Sequence, residues 1–337
     1  MKVLLYFGSM KMVSKSGIGQ ALRHQGKALK KRGIPYTINR REEYDIVHIN
    51  TIFPNSLLMS KIAMWRHKKV VYFAHSTMED FRNSFVGSNM LAPLFKRWIT
   101  YCYNSSNIVI TPTIYSKNLL ENYGIIPPVF NLSNGVDTSF YGKDLMSRMR
   151  FREKYGVKEH EKIIMSVGHY IERKGILDFV CLAEQMPEYQ FYWFGYTNMN
   201  LIPQNIQNAV TTSLENLHFP GYINQIDLKD AYCGSDLFLF LSHEETEGIA
   251  LLEALASKIP ILIRDIPVYA DWLYNGKNVY KAKNISDFRE KIVQIIEKNI
   301  PDLTENGYQV AVERDLKMIG QRLEEIYTHG ENSGFME

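Results

Sequence analysis

The chain has 337 residues, of which 45% are hydrophobic and 12% aromatic; that suffices for about two domains with separate cores and excludes a disordered polymer. Cys102, Cys181 and Cys233 match no Cys-x-x-Cys or Cys/His ligand spacing, so neither a structural zinc site nor a disulfide framework is supported, and a reducing cytoplasm is expected. The net charge of +3 hides an asymmetry: residues 1–140 carry 18 Lys and Arg against 7 Asp and Glu, or +11, and the remainder 21 against 29, or −8, so the basic half points to an anionic partner, either nucleic acid or a membrane surface.

The first apolar run, VLLYF, is too short for a signal peptide, lacks a cleavage site and reads as a buried strand. No stretch reaches the roughly 18 apolar residues that a spanning helix needs. SKSGIGQAL then sets Gly17 and Gly19 between that strand and a basic helix. The turn is of a phosphate-cradling type, yet it lacks the third glycine and the ribose-binding acid of a dinucleotide fingerprint, and no Walker pattern is present. DIVHIN, NSLLMSKIAMWRHK, KVVYFAH, NIVITPT and IYSKNLLENYG continue an alternation of strands and helices. His75 directly follows one of these strands, where a histidine reaches a cleft; a satisfied structural histidine is the ordinary alternative.

After the turn-rich stretch NGVDTSFYGKDLMSRMRFREKYG the alternation restarts with EKIIMSVGH and runs to NVYKA. The expected fold class is α/β, with two doubly wound parallel-sheet domains: residues 1–140, and residues 150–307 beyond a hinge near 138–155. A last helix over 308–330 is expected to pack back on the first domain. Ligands of open parallel sheets lie at the carboxyl ends of strands, so the expected site is the cleft between the two sheets.

Two blocks of the second half carry chemistry. In SVGHYIERKG a strand ends at Val167 and its loop offers Arg173 and Lys174, suited to neutralising a diphosphate; solvated surface charge is the plain alternative. In HEETEGIALLEALASKIPI a strand-end loop leads into a helix whose first amides, at Gly248, Ile249 and Ala250, can receive a phosphate. Acids beside a helix N-terminus gain about 0.3–1 kcal/mol from the dipole alone, which suffices for Glu245 and Glu247. It does not account for Glu253, which sits inside the apolar helix and wants a hydroxyl pair or a cation.

ETEGIALLEALA resembles the Glu-x7-Glu signature of retaining GT-B glycosyltransferases of the family-4 type, with Glu245 and Glu253 as the two acids. SNGVDTSFY is similar to the family's Asn-Gly-Val-Asp linker, and VGHYIERKG to its donor-phosphate loop, so the likeness spans nearly the whole chain. Within the family, KSGIGQALRHQ and RDIPVYADWL are most similar to the enzymes of Gram-positive bacteria and mollicutes that add a second hexose to glucosyl-diacylglycerol. Two departures stand out. Glu247 is an extra acid that competes for the role of first glutamate, and position 169 is His where the common pattern has Arg.

What the resemblance implies is transfer of glucose or galactose, with retention, from a UDP-sugar to monoglucosyl-diacylglycerol, giving a dihexosyl-diacylglycerol membrane glycolipid of the kind that anchors lipoteichoic acid. Arg173, Lys174 and the amides at Gly248 to Ala250 would stabilise the departing diphosphate, with Gly17 and Gly19 approaching from the other domain. Glu253 would accept the ribose hydroxyls, Glu245 a sugar hydroxyl, Tyr222 and Ile223 would flank the uracil, and His75 would lie on the acceptor side. No Asp-x-Asp pair is present, so no metal and no cofactor are expected.

The basic half then meets an anionic membrane rather than nucleic acid, for which no recognition module is present. A peripheral enzyme on the cytoplasmic face is expected. In NSLLMSKIAMWRHKK, Trp65, Lys68 and Lys69 are candidate contacts; in GSNMLAPLFKRWITYCY, the candidates are Leu94, Phe95, Lys96, Arg97 and Trp98. The rival readings are a family-4 transferase acting on a polysaccharide or cell-wall precursor, from another class a nucleic-acid-binding protein using the basic half, and an NAD-dependent oxidoreductase, which the incomplete glycine fingerprint disfavours.

Overall fold

The computed structural model describes residues 1–9 and 16–330, so Ser14 and Lys15 of the SKSGIGQAL stretch lie outside the described residues. Among the described residues, twelve strands form two six-stranded sheets, with every pair parallel. The first sheet contains β1 (Val3–Tyr6), β2 (Tyr36–Thr37), β3 (Ile46–Ile49), β4 (Lys69–Phe73), β5 (Ile108–Thr111) and β6 (Val129–Asn131), in the order β2-β1-β3-β4-β5-β6. The second contains β7 (Ile163–Val167), β8 (Gln190–Phe194), β9 (Leu217–Gly221), β10 (Leu237–Phe240), β11 (Ile261–Arg264) and β12 (Tyr280–Ala282), in the order β12-β11-β10-β7-β8-β9. Strands such as IVIT and LFLF are apolar on both faces and wholly buried, as helices covering a parallel sheet on both sides require.

Those helices include α1 (Gly17–Arg32), α2 (Pro54–Trp65), α3 (Ser88–Tyr103), α4 (Gln225–Gly234), α5 (Ile249–Ala256), α6 (Thr304–Val312) and α7 (Leu316–His329). The C-terminal segment departs from the single helix expected over 308–330. Asp315 has extended backbone and accepts a hydrogen bond from the Lys317 amide, which caps a new helix and ends the previous one. Val310 and Ala311 of α6 stay in the core of the second sheet, whereas Leu316, Ile319, Leu323 and Tyr327 of α7 enter the core of the first. The chain therefore crosses back between the sheets at residues 313–315, where Val136 and Asp315 form a parallel bridge.

In the second sheet the strand order reverses between β7 and β10, and the loops after those two strands border the crevice in which such sheets take ligands. The first is the loop of Arg173 and Lys174; the second is the loop of Glu245 and Gly248. They approach closely because Gly175, at φ +78°, carries no side chain to collide with Leu241 at the end of β10.

Candidate active site

A cleft of about 350 Å³ lies between the sheets and is lined from both. Gly17, Ile18, Gln20 and Arg23 reach it from the start of α1, His75, Ser76 and Asp80 from the segment after β4, and Lys174, Glu245, Gly248 and Glu253 from the second domain. Most of the catalytic and donor-binding candidates read from the sequence meet here: Gly17, His75, Arg173, Lys174, Tyr222, Ile223, Glu245, Gly248, Ile249, Ala250 and Glu253 all line the space. Gly19 does not. It is buried within α1, one residue past the turn that faces the cleft, and Ile18 and Gln20 take its place.

Gly248 caps α5 at φ +96°, ψ +84°, and a Cβ there would stand 3.0 Å from the Phe240 ring. A side chain would be strained by both the backbone and the contact, so glycine is required to start the helix against β10. The amides of the first helical turn have no intrahelical partner by geometry, and Gly248, Ile249 and Ala250 face the cleft.

The two acids of the Glu-Thr-Glu-Gly stretch part company. Glu245 lines the cleft, is bound by the Lys174 ammonium, accepts from Ser242 Oγ at 2.7 Å and lies 3.8 Å from Arg173 Nη1. Burial pushes its pKa up, but the Lys174 and Arg173 cations and the hydrogen bonds more than offset this, leaving the carboxyl below the usual glutamate range. Glu247 points away, accepting from the backbone and side-chain amides of Asn134 at 2.9 and 2.7 Å, and burial raises its pKa. It ties the second domain to the interdomain linker.

Glu253, inside α5, accepts from Tyr141 at 2.7 Å, from Tyr232 at 3.2 Å and from Gln20 Nε2 at 3.3 Å. Burial pushes its pKa up to about 7 against those donors and the positive field of Arg23. Gln20 belongs to the first domain and also accepts from Arg23 and from Gln225 of α4. His75 Nε2 lies 2.8 Å from Asn50 Oδ1 and its ring stacks on Phe73 at 4.4 Å; burial lowers its pKa to about 3, so the ring is neutral. His169, standing where the common pattern has Arg, lines the cleft with Nδ1 2.9 Å from the Tyr196 carbonyl.

Gln20, Arg23, Asp80, Tyr141 and Gln225 are cleft residues that the sequence reading passed over. Tyr141 lies in the quoted SNGVDTSFY stretch and Gln20 and Arg23 in KSGIGQALRHQ, so the signal was present without a role attached to the individual side chain.

The membrane candidates divide. Trp65 is 79% exposed and Leu94 61%, and Arg97 is exposed. Three others turn inward. Phe95 stacks on Phe81 at 3.9 Å, Trp98 donates to the Ile52 carbonyl at 2.7 Å, and Lys69, the first residue of β4, donates to the Tyr327 carbonyl at 3.0 Å. Lys68 is half-buried, and Lys96 lies over the Tyr123 ring at 4.3 Å. Besides the candidates Trp65 and Leu94, the exposed apolar side chains of this region include Leu58 of α2 and Phe85, Val86, Met90 and Leu91 around the start of α3. Among the described residues, no helix is long and apolar enough to cross a membrane.

Residues 147–310 match the family model described as glycosyl transferases group 1, and residues 32–140 match that of glycosyltransferase family 4. The processive diacylglycerol alpha-glucosyltransferase of Acholeplasma laidlawii is 39% identical over 97% of this chain and 98% of its own. The alpha-galactosylglucosyldiacylglycerol synthase of Streptococcus pneumoniae is 26% identical over 77% of this chain and 72% of its own. Among solved structures, Anabaena HepE in complex with UDP and glucose superposes with a TM-score of 0.80 at 17% identity, covering 97% of this chain and 99% of that one. That likeness is one of fold, whereas the alignment with the Acholeplasma enzyme spans nearly the whole chain at 39% identity. The chain is a glycosyltransferase with the GT-B fold and belongs to the group 1, family-4 glycosyltransferases.

Proposed function

We propose that this enzyme transfers glucose or galactose, with retention, from a UDP-sugar to monoglucosyl-diacylglycerol at a membrane surface. The observation that carries the donor half of the reading is the meeting, in one cleft, of Lys174, Glu245, the α5 amides and Glu253. The bond from the anomeric carbon to the β-phosphate oxygen breaks while the acceptor hydroxyl oxygen bonds to that carbon on the same face, and the hydroxyl proton passes to the departing phosphate. Negative charge grows on the diphosphate, so fixed cations and amide dipoles aimed at it lower the barrier. Arg173, Lys174 and the α5 amides supply them. Glu253 accepts the ribose hydroxyls, Glu245 a hexose hydroxyl, Tyr222 and Ile223 border the uracil, and neutral His75 faces the acceptor side. Neither cofactor nor divalent ion takes part on this reading, so chelation should leave turnover unchanged.

Two observations support the lipid acceptor. The relatives just named act on diacylglycerol-linked substrates by their names. In this chain, Trp65, Val86, Met90 and Leu94 expose apolar side chains, and Lys61, Arg66 and Arg97 are exposed on or beside the same two helices. Apolar wedges rimmed by cations suit an anionic bilayer. The test is incubation with labelled UDP-glucose or UDP-galactose and vesicles carrying diacylglycerol, monoglucosyl-diacylglycerol or neither, with a soluble polysaccharide as a further arm. Transfer to the glycolipid supports the proposal; transfer confined to the polysaccharide overturns it.

A further inference from the structure

Arg173 is held from both sides of the cleft. Its amide donates to the Asn83 carbonyl at 3.2 Å, Nε donates to Ser84 Oγ at 3.2 Å, and Nη1 lies 2.8 Å from Asp80 Oδ1. All three partners belong to the first domain. From its own domain the Glu244 carbonyl accepts from Nη1 at 2.8 Å, Glu245 Oε2 lies 3.8 Å from Nη1, and the His243 amide donates to the Arg173 carbonyl at 2.8 Å. A guanidinium has five N–H groups in a fixed plane. Hydrogen bonds take the single hydrogen on Nε and one on Nη1, Asp80 is paired to Nη1 by charge, and among the described residues Nη2 donates to no partner while Arg173 lines the cleft.

The segment that grips the arginine is itself built to hold its shape. The Asp80 amide donates to Thr77 Oγ1 at 3.1 Å and Ser84 Oγ donates to the Asp80 carbonyl at 2.9 Å. Asn83 sits at φ +54°, a conformation that asparagine tolerates better than most residues, and is pinned by two hydrogen bonds with Asn89 at 3.0 and 2.8 Å. Phe81, between them, stacks on Phe95. Asp80 therefore arrives in a fixed place whenever the domains are together, and it arrives from the domain opposite to the donor loops.

We propose that Asp80, seconded by Ser84, is a positioning residue for the donor diphosphate site: it turns Arg173 so that the Nη2 edge faces the diphosphate, and it can do so only when the two domains have closed. The inference rests on the reading that Arg173 meets the donor. It makes the first domain, otherwise the acceptor's, a contributor to leaving-group stabilisation. A salt bridge that merely joined the domains would add stability without any effect that passes through the guanidinium.

The experiment is a double-mutant cycle in the hexose-transfer assay, using D80A, R173A and the pair, with D80N and S84A alongside. Turnover at saturating UDP-sugar should fall about 10- to 100-fold in D80A, with the KM for donor changed less than about threefold, as expected for loss of alignment rather than of binding. D80N keeps an acceptor oxygen without the charge and should fall between wild type and D80A. In the R173A background, D80A should cost nothing further. Equal losses from D80A with and without Arg173, or wild-type turnover in D80A, would overturn the inference. Wild-type turnover in R173A would instead remove the donor role of Arg173 itself. Should D80A fail to fold by thermal melting, D80N and S84A in the same cycle decide the matter by the same criterion.

Discussion

Glu253 is where pH should act on donor binding. Its carboxyl is buried among Tyr141, Tyr232 and Gln20, and burial pushes its pKa up to about 7. On the proposed reading, the ionised form accepts the ribose hydroxyls. With a pKa of about 7, the ionised fraction is about 0.1 at pH 6 and about 0.9 at pH 8, so affinity should rise by at most about tenfold over that interval, or about 1.3 kcal/mol. Calorimetric titration with uridine is the cleaner assay, because uridine has no phosphate to titrate in the same range. E253Q should bind more weakly at the upper end and show no slope. The sign for stability runs the other way. The folded pKa is raised above its unfolded value, so the contribution to stability is full below about pH 4.5 and is lost as pH rises through about 7. Wild type should therefore lose melting temperature relative to E253Q across that window. A wild-type uridine affinity that is flat from pH 6 to pH 8, or an equal slope in E253Q, would refute the placement of the ribose on this carboxylate.

Lys174→Ala should lower turnover about 100-fold or more, measured as labelled hexose reaching the lipid, since it removes a charge aimed at the leaving group. Gly248→Ala should lower the melting temperature and weaken UDP binding by about tenfold or more, because the φ of +96° costs about 1–2 kcal/mol with any Cβ and the Phe240 ring must also move; calorimetry and thermal melting check both. Replacing Trp65, Met90 and Leu94 together by serine should abolish sedimentation with anionic vesicles, and wild-type binding should weaken as salt is raised from about 50 to about 500 mM. Retained binding of the triple variant would place the membrane contact elsewhere.

The strands were the most legible part of the chain. Runs such as KVLLYF, NIVITPT and DLFLFLS are short, apolar and bounded by turn residues, so period and length alone identify them. The edge strands β2 and β6, of two and three residues, have too little length to show a period. The C-terminal helices ran together in the reading because α6 and α7 are both amphipathic and only the cap at Asp315 divides them. For the site, the motif spacing placed the carboxylates on the right elements without orienting them: Glu245 and Glu247 are two residues apart, and only the position of Asn134 shows which one turns to the linker. Asp80 carried no signal, because an acid following a histidine-bearing strand end has no pattern until Arg173 is seen beside it. On the membrane side, the aromatic residues of α3 drew attention through hydrophobicity, yet Phe95 and Trp98 serve the core and the exposed positions fall to Met90, Leu91 and Leu94.

Asp80, Arg173, Lys174 and Glu245 form a linked set of two acids and two bases at the point where the domains touch. Removing one member of such a buried set leaves an uncompensated charge, which costs roughly 3–5 kcal/mol. Near-neutrality of the set keeps the contact between the domains balanced, and on the proposed reading it sets the condition for donor entry. A diphosphate brings excess negative charge, and Lys174 can turn to it only by loosening its hold on Glu245. On the proposed reading, that release frees the Glu245 oxygens for a hexose hydroxyl. Free UDP brings the diphosphate without the hexose, so it would release Glu245 with nothing to receive it and pay the cost of an unpaired buried carboxylate. On the proposed reading, the Lys174–Glu245 pair thus favours the intact nucleotide sugar over the nucleotide it leaves behind.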